Sequence, residues 1–333
     1  MRAVRQQSFG GRDALTLESV QKPTPGPQEM LIEVRAAGVN PTDTYYREGK
    51  VGDDTPLNQP TLPFTLGSDF AGIVREVGDH VTRFNPGDRV FGTGLHTGRT
   101  QQGAYAEYIA IPPSFVAHLP AAIEFREGAA IGLAGVTAWR ALFDYGTLKP
   151  GAACLIHGGS GGVGHVALQL ADSINATTLT TARSDDAQLL EQEFGADRVF
   201  DYHSDNLLAE VTAAVPDGVN VVLDHMSDEY LGLDIEAARF GGHIVTIGGA
   251  DGHISDGFRA RANELTVHFM TAANLVERPE LPDVSAVLRQ LAGLLSKPDL
   301  TAHVAHTYPL EEIQDAHRTM EEDHFVGKLV ITI

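Results

Sequence analysis

Hydrophobic positions in the first 117 residues either alternate or run in short blocks. MLIEVRAAGV (30–39), FAGIVREVG (70–78) and AYAEYIAI (104–111) are punctuated by PTPGP and NPGDRV. Patterning of this length, bounded by Pro and Gly, predicts β-strands. In FNPGD (84–88), Pro presets φ and Gly supplies the permissive conformer, which makes a turn.

The pattern changes near Leu119-Pro120. AAIGLAGVTAWRALFDY (129–145) reads as a helix, ACLIHG as a strand and VGHVALQLADSI as a helix. TTLTTAR (177–183) and RVFDY (198–202) read as strands around a helix, DDAQLLEQEFG (185–195), that ends at Gly195. After the helix LLAEVTAAV come two more strands, VNVVLDHM (219–226) and GHIVTIGG (242–249). Strands spaced by helices of this length predict a parallel sheet with right-handed crossovers. The tail returns to a helix and a terminal strand, KLVITI. The expectation is an α/β chain of two domains, a β-rich one over 1–120 and 273–333 and a doubly wound one over 121–272.

The strand ACLIHG runs into HGGSGGVG, which places Gly158, Gly159, Gly161, Gly162 and Gly164 within seven positions just before a helix. An ordinary strand-to-helix turn needs one or two glycines. Gly159, Gly161 and Gly164 fit G-x-G-x-x-G, in which glycines let the backbone approach a pyrophosphate and the helix N-terminus offers free N–H groups. Such a motif is weak alone and stronger here, where it follows a strand and opens a series of alternating units. A carboxylate about 20 positions on would select NAD, and an arginine the 2′-phosphate of NADP. Arg183-Ser184 ends the second strand and favours NADP(H). Asp185 and Asp186 follow, and either one turned toward the ribose would favour NAD.

Composition narrows the field. Hydrophobic residues make up 43% of the 333, enough for a sizeable core. No apolar run reaches the ~18 residues of a membrane span, and MRAVRQQSFGG lacks the apolar stretch of a signal peptide. A soluble cytoplasmic protein is expected, with no membrane partner. The net charge of −20 argues against nucleic acid. Lysines number only five (22, 50, 149, 297 and 328), so nineteen of the 24 basic residues are arginines. Such an acidic surface suggests a halophilic protein, since high salt screens its self-repulsion. The single cysteine, Cys154, sits in an apolar strand and is expected to be buried and inert.

AGVNPTDTYYREG (37–49), LGSDFAGIVREVG (66–78), GAYAEY (103–108), GLAGVTAWRAL (132–142), HGGSGGVG (157–164) and FGGHIVTIGG (240–249) together resemble the medium-chain dehydrogenase/reductase superfamily. Within it they are most similar to the zinc-free quinone oxidoreductase (zeta-crystallin-like) branch. The resemblance spans nearly the whole chain. It implies a GroES-like catalytic domain completed by the tail, a Rossmann domain, and a cofactor cleft separating them. It assigns NADPH to Asn40, Thr137, Ser160, Gly161, Gly162, Val163, Arg183, Ser184, Tyr202, Gly248 and Lys328. It assigns the substrate side to Asn40 and Tyr45. Two positions depart from the branch: Val51 stands where a second cleft tyrosine is common, and acids follow Arg183 where a basic residue is common.

The superfamily's zinc enzymes carry a histidine where LGSDFAG has Ser68, and four cysteines in a lobe this chain lacks. Of the fourteen histidines, His157, His165, His225, His243 and His253 are scattered through the nucleotide domain, without ligand spacing. No metal is expected. Without a Lewis acid, reduction of a conjugated acceptor is the easier chemistry, because charge spreads to an oxygen that hydrogen bonds can hold. Asn40 and Tyr45 would donate to that oxygen, Tyr45 or solvent would supply the proton, and Arg47 would assist.

The expected activity is therefore NADPH-dependent, zinc-independent reduction of quinones or α,β-unsaturated carbonyl compounds. An enoyl-thioester reductase is the neighbouring reading, although a phosphate-bearing thioester prefers a basic entrance. A low-turnover NADPH-binding redox sensor or structural protein is the reading from another class. Tyr45 and the loops 50–64 and 94–102 would shape the acceptor pocket. The apolar strand in GGHIVTIGGADGHI (241–254) is expected to pair edge to edge in a homodimer.

Overall fold

The computed structural model describes residues 1–50, 60–94, 102–249, 254, 256–272, 274–277 and 283–333. Val51, His253 and most of the two pocket loops lie outside the described residues. The chain forms two compact units, Met1–Val136 with Ala272–Ile333, and Thr137–Thr271.

The first unit opens with β1 (Arg2–Gln6) and β2 (Leu15–Ser19), which pair antiparallel. The long β3 (Met30–Val39) is almost wholly buried, which explains its nearly continuous apolar sequence. It leads into α1 (Pro41–Glu48), which starts on a proline and stops at Gly49, whose φ of 70° closes the helix through bonds to the Tyr45 and Tyr46 carbonyls. Then come β4 (Phe64–Thr65), β5 (Asp69–Val77), β6 (Arg89–Gly92), β7 (Tyr108–Ile111) and β8 (Val116–His118).

Helix α2 (Phe125–Trp139) packs its first three turns into this unit through Gly128, Gly132 and Gly135. A Cβ on these glycines would stand 2.7 Å from Leu119, 2.6 Å from Asp69 and 2.7 Å from Leu291. Residues 121–136, assigned to the nucleotide domain on the change of sequence pattern, thus lie in the first unit.

In the second unit β9 (Ala153–Ile156), α3 (Gly164–Asp172), β10 (Thr177–Ala182), α4 (Ala187–Glu193), β11 (Arg198–Asp201), α5 (Leu207–Ala214), β12 (Val219–Asp224), α6 (Ser227–Ala237), β13 (Ala238–Thr246), α7 (Gly257–Ala262) and β14 (Thr266–Phe269) alternate. The described strands make a parallel six-stranded sheet in the order β11-β10-β9-β12-β13-β14, the doubly wound Rossmann arrangement. The strand expected to pair across a dimer, β13, is internal, with β12 on one side and β14 on the other. The sequence pattern missed β14, a short segment of only intermediate burial.

The chain then returns to the first unit with α8 (Asn274–Glu277), α9 (Val284–Leu295), β15 (Val304–Pro309), α10 (Ile313–Glu322) and β16 (Lys328–Thr332). β16 pairs antiparallel with β3 and completes the sheet β15-β16-β3-β5-β6-β8, with β7 also on β3. The tail is a structural part of the GroES-like unit.

Candidate active site

In the first unit the polar site lies at the junction of β3 and α1. Asn40 follows the last residue of β3 and is only 3% exposed. Its Nδ2 donates to Asp69 Oδ2 at 2.9 Å, and its Oδ1 accepts from Lys328 Nζ. Lys328 also donates to the Val39 carbonyl at 2.7 Å. Asp69 Oδ1 accepts from the Leu133 amide at 2.8 Å, and Thr93 gives the carboxyl a further hydrogen bond. Burial pushes the Asp69 carboxyl up while the Lys328 charge pulls it down; burial pushes the Lys328 ammonium down while Asp69 draws it up. Beside this group, Asp43 Oδ2 accepts from the Asn40 backbone N–H at 2.7 Å and from the Tyr105 hydroxyl at 2.8 Å.

The residues expected on the substrate side part company along α1. Tyr45 is 51% exposed. Arg47, two positions on, is 1% exposed and turned into the core. Its guanidinium donates to the Gly10 carbonyl at 3.1 Å, pairs with Glu48 at 2.9 Å and Glu321 at 2.6 Å, and lies 3.1 Å from His317 Nδ1. Every one of those partners belongs to the scaffold of the first unit, so Arg47 locks α1 to α10 and is not placed to assist a reaction.

In the second unit the glycines fall into two groups. Gly158 has φ of 67°, and a Cβ there would stand 2.5 Å from the His225 ring. A Cβ on Gly159 would stand 2.2 Å from Thr180 Oγ1, and on Gly164 2.1 Å from the Gly158 carbonyl. These three glycines are required by the chain's own packing. Gly161 is different: a Cβ there would meet only the Gly158 carbonyl, at 3.2 Å. Gly161 is thus the least crowded of the four, and with α3 opening just behind it the turn fits a dinucleotide pyrophosphate. Ser160, Gly162 and Val163 complete the turn, with Val163 as the residue before α3.

At the end of β10, Arg183 Nε donates to the Tyr202 hydroxyl at 3.1 Å. Asp186 is buried, whereas Arg183, Ser184 and Asp185 are exposed. The sequence reading missed Asp201, whose carboxylate accepts from Ser184 Oγ at 2.5 Å and from the His203 amide at 2.8 Å. Those bonds, Ser184 foremost, hold its carboxyl below the usual range. Gly248 lies where a Cβ would strike the His225 carbonyl at 2.4 Å, and Thr137 is buried as the first residue of this unit.

Under the glycine turn lies a titratable cluster. His157 Nε2 is 2.9 Å from Asp234 Oδ1, its Nδ1 is 3.2 Å from Thr181 Oγ1, and its ring stacks on Tyr230 at 4.2 Å. The Gly158 amide donates to the same Thr181 oxygen at 3.1 Å. Burial pushes the His157 imidazole down to about 4 and the Asp234 carboxyl well up, disfavouring the charged form of each. Burial and the nearby Asp234 push Asp224 up to about 7.

Residues 26–121 match the Alcohol dehydrogenase GroES-like domain, and residues 194–331 match the model named Zinc-binding dehydrogenase. The chain is 34% identical over 337 residues to the quinone oxidoreductase of Homo sapiens, covering 100% of this chain and 98% of that protein. It belongs to the quinone oxidoreductase branch of the medium-chain dehydrogenase/reductase superfamily.

Among solved structures, the Escherichia coli quinone oxidoreductase complexed with NADPH is similar with a TM-score of 0.85 at 26% identity, covering 100% of both chains. An NAD-dependent alcohol dehydrogenase is similar with a TM-score of 0.88 at 28% identity, again over 100% of both chains. None of these likenesses bears on the high-salt reading of the surface charge. In this quinone oxidoreductase-branch chain Ser68 is buried, with its Oγ 3.2 Å from Thr93 Oγ1. Among the described residues no three His, Cys, Asp or Glu side chains form a group that could hold a metal ion. No helix among them is long and apolar enough to cross a membrane. Cys154 is buried, and burial pushes its thiol up to about 12.

Proposed function

We propose that the chain is an NADPH-dependent, zinc-independent reductase of quinones or α,β-unsaturated carbonyl compounds. The observation that carries this reading is Asn40 anchored between opposite charges at the start of α1, with half-exposed Tyr45 in the next turn and a metal-ligand position filled by Ser68. The full-length likeness to quinone oxidoreductases supports it. Gly161, the start of α3, Arg183 and Tyr202 would hold the cofactor. A bound nicotinamide supplies the hydride. Tyr45 and the second N–H of Asn40 donate to the acceptor oxygen on which charge collects, and Tyr45 or solvent delivers the proton that completes the reduced product.

The test is to follow NADPH and NADH absorbance in molar KCl with 1,4-benzoquinone, 9,10-phenanthrenequinone and 2-alkenals. NADPH-preferring oxidation supports the reading. A second reading has its own observation: Asn40 is nearly closed to solvent with both ends of its amide engaged, as a low-turnover NADPH-binding sensor would tolerate. Tight NADPH binding with no turnover of any acceptor would favour it.

A further inference from the structure

The buried group behind α1 deepens the reductase reading and rests on it. We infer that Lys328 is a positioning residue that orients and polarises the Asn40 amide, rather than a ligand of the cofactor.

Register places it there. β16 pairs with β3 so that Leu329 faces Val39, which sets Lys328, one step back, against Asn40, one step on. Lys328 is 3% exposed, and two of its three ammonium N–H groups go to the Val39 carbonyl and to Asn40 Oδ1. Those bonds direct the charge at the Asn40 side chain and give it a role that needs no contact with the dinucleotide.

The chemistry of the neighbours then fixes the amide. The two ends of an asparagine amide have nearly the same shape, and only their partners distinguish them. Lys328 is a donor with no acceptor, and Asp69, when ionised, is an acceptor with no donor. A flipped Asn40 would set N–H against ammonium and oxygen against carboxylate. The orientation is therefore single: Oδ1 to Lys328, one Nδ2–H to Asp69, and the second Nδ2–H left for the acceptor oxygen. A cation at the amide oxygen and an anion at the amide nitrogen polarise it in the same sense, which strengthens the remaining donor.

The seat of Asp69 is built. A Cβ on Gly132 would stand 2.6 Å from Asp69 Oδ1, so α2 gives up a side chain where the carboxylate lies, while one on Gly38 would meet the Ala129 carbonyl at 2.5 Å and Asp69 Oδ2 at 3.1 Å. The Leu133 amide then holds its second oxygen. Lys328 and Asp69 act as the two arms of one clamp, and Asn40 is the group they hold.

The experiment compares the wild type, Lys328→Met and the double variant Lys328→Met/Asp69→Asn. NADPH dissociation constants are measured by fluorescence titration, and kcat and KM with 1,4-benzoquinone. The double variant removes both buried charges and so avoids leaving Asp69 without its partner should the single variant fail to fold. The expected result is a fall in kcat of at least tenfold in whichever variant is folded, with the NADPH dissociation constant within twofold of wild type. A tenfold weaker NADPH affinity with kcat preserved would make Lys328 a cofactor ligand and overturn the inference, as would an unchanged kcat in the folded double variant. A wild type that bound NADPH but reduced no acceptor would instead remove the reductase reading and, with it, this role for Lys328.

Discussion

Arg183 Nε donates to the Tyr202 hydroxyl at 3.1 Å, which ties the end of β10 to the residue just past β11. The bond holds an exposed guanidinium by one edge and leaves its other N–H groups for an anion. Charge-assisted hydrogen bonds to phosphate contribute about 1.5–3 kcal/mol, or roughly 10- to 100-fold in affinity. Arg183→Ala should weaken NADPH by that factor and leave NADH nearly unchanged. Equal losses for both cofactors would show that Arg183 does not read the 2′-phosphate.

Asp201 is tied to the residue after Arg183. Its carboxylate accepts from Ser184 Oγ and the His203 amide, bonds that hold it below the usual carboxylate range and keep a negative charge at the end of β11. Asp201→Asn should therefore raise the NADPH-to-NADH ratio of kcat/KM by about tenfold at low salt and less in molar KCl, because salt screens exposed charges. A ratio that does not move would remove Asp201 from cofactor choice.

The glycine turn separates folding from binding. Gly159→Ala and Gly164→Ala should lower the melting temperature, since their Cβ atoms would sit 2.2 Å from Thr180 Oγ1 and 2.1 Å from the Gly158 carbonyl. Gly161→Ala, whose Cβ would meet the Gly158 carbonyl at 3.2 Å, should lower it less than either and lose NADPH affinity. A wild-type affinity for Gly161→Ala would mean that Gly161 is not where the pyrophosphate approaches.

The Rossmann unit was legible because its signals are local: buried apolar strands, helical periods between them, and a glycine cluster at the first turn. Where side chains end up was less legible. Arg47 reads as a site residue from its place after Tyr45, yet its fate is set by His317 and Glu321, some 270 positions away in sequence. Lys328 reads as a cofactor contact because the tail motif says nothing of the strand register that buries it against Asn40. Asp69 carried a signal that went unused, a carboxylate at the head of the apolar run FAGIV, where burial demands a partner. β14 was missed because an edge strand of intermediate burial has no apolar run to announce it.

His317 should make the first unit acid-sensitive. Burial chiefly, with Arg47 also opposing protonation, pushes it down to about 4, although Asp43 and Glu321 pull the other way. Its folded value lies below the ordinary 6.5, so the stability it contributes is fully present above 6.5 and is lost as pH falls toward 4, up to roughly 3 kcal/mol. His157, also near 4, acts in the same sense. Asp224 acts in the opposite sense, because its value raised to about 7 makes its burial cheaper as pH falls. His317→Gln keeps an acceptor for Arg47 and cannot titrate. Between pH 7.5 and 5 its melting temperature should fall less than that of wild type, and parallel declines would show that His317 stays neutral throughout.

The expected homodimer moves from β13 to β14. Among the described residues β14 pairs with β13 alone and ends the sheet, and no other described strand faces its outer backbone groups. An unpaired edge is a template for another strand. Phe269 at its end is 65% exposed, and Phe240 on β13 and Phe258 on α7 are exposed too. Antiparallel pairing of two β14 strands about a two-fold axis would continue the sheet and cover apolar surface in one step. Light scattering in molar KCl should then give twice the 35.6 kDa chain mass. Phe269→Asp, which places like charges opposite one another at that edge, should give the single-chain mass while retaining NADPH binding. A wild type that scatters as one chain would remove the dimer, and a Phe269→Asp variant that stays at twice the mass would move the interface away from β14.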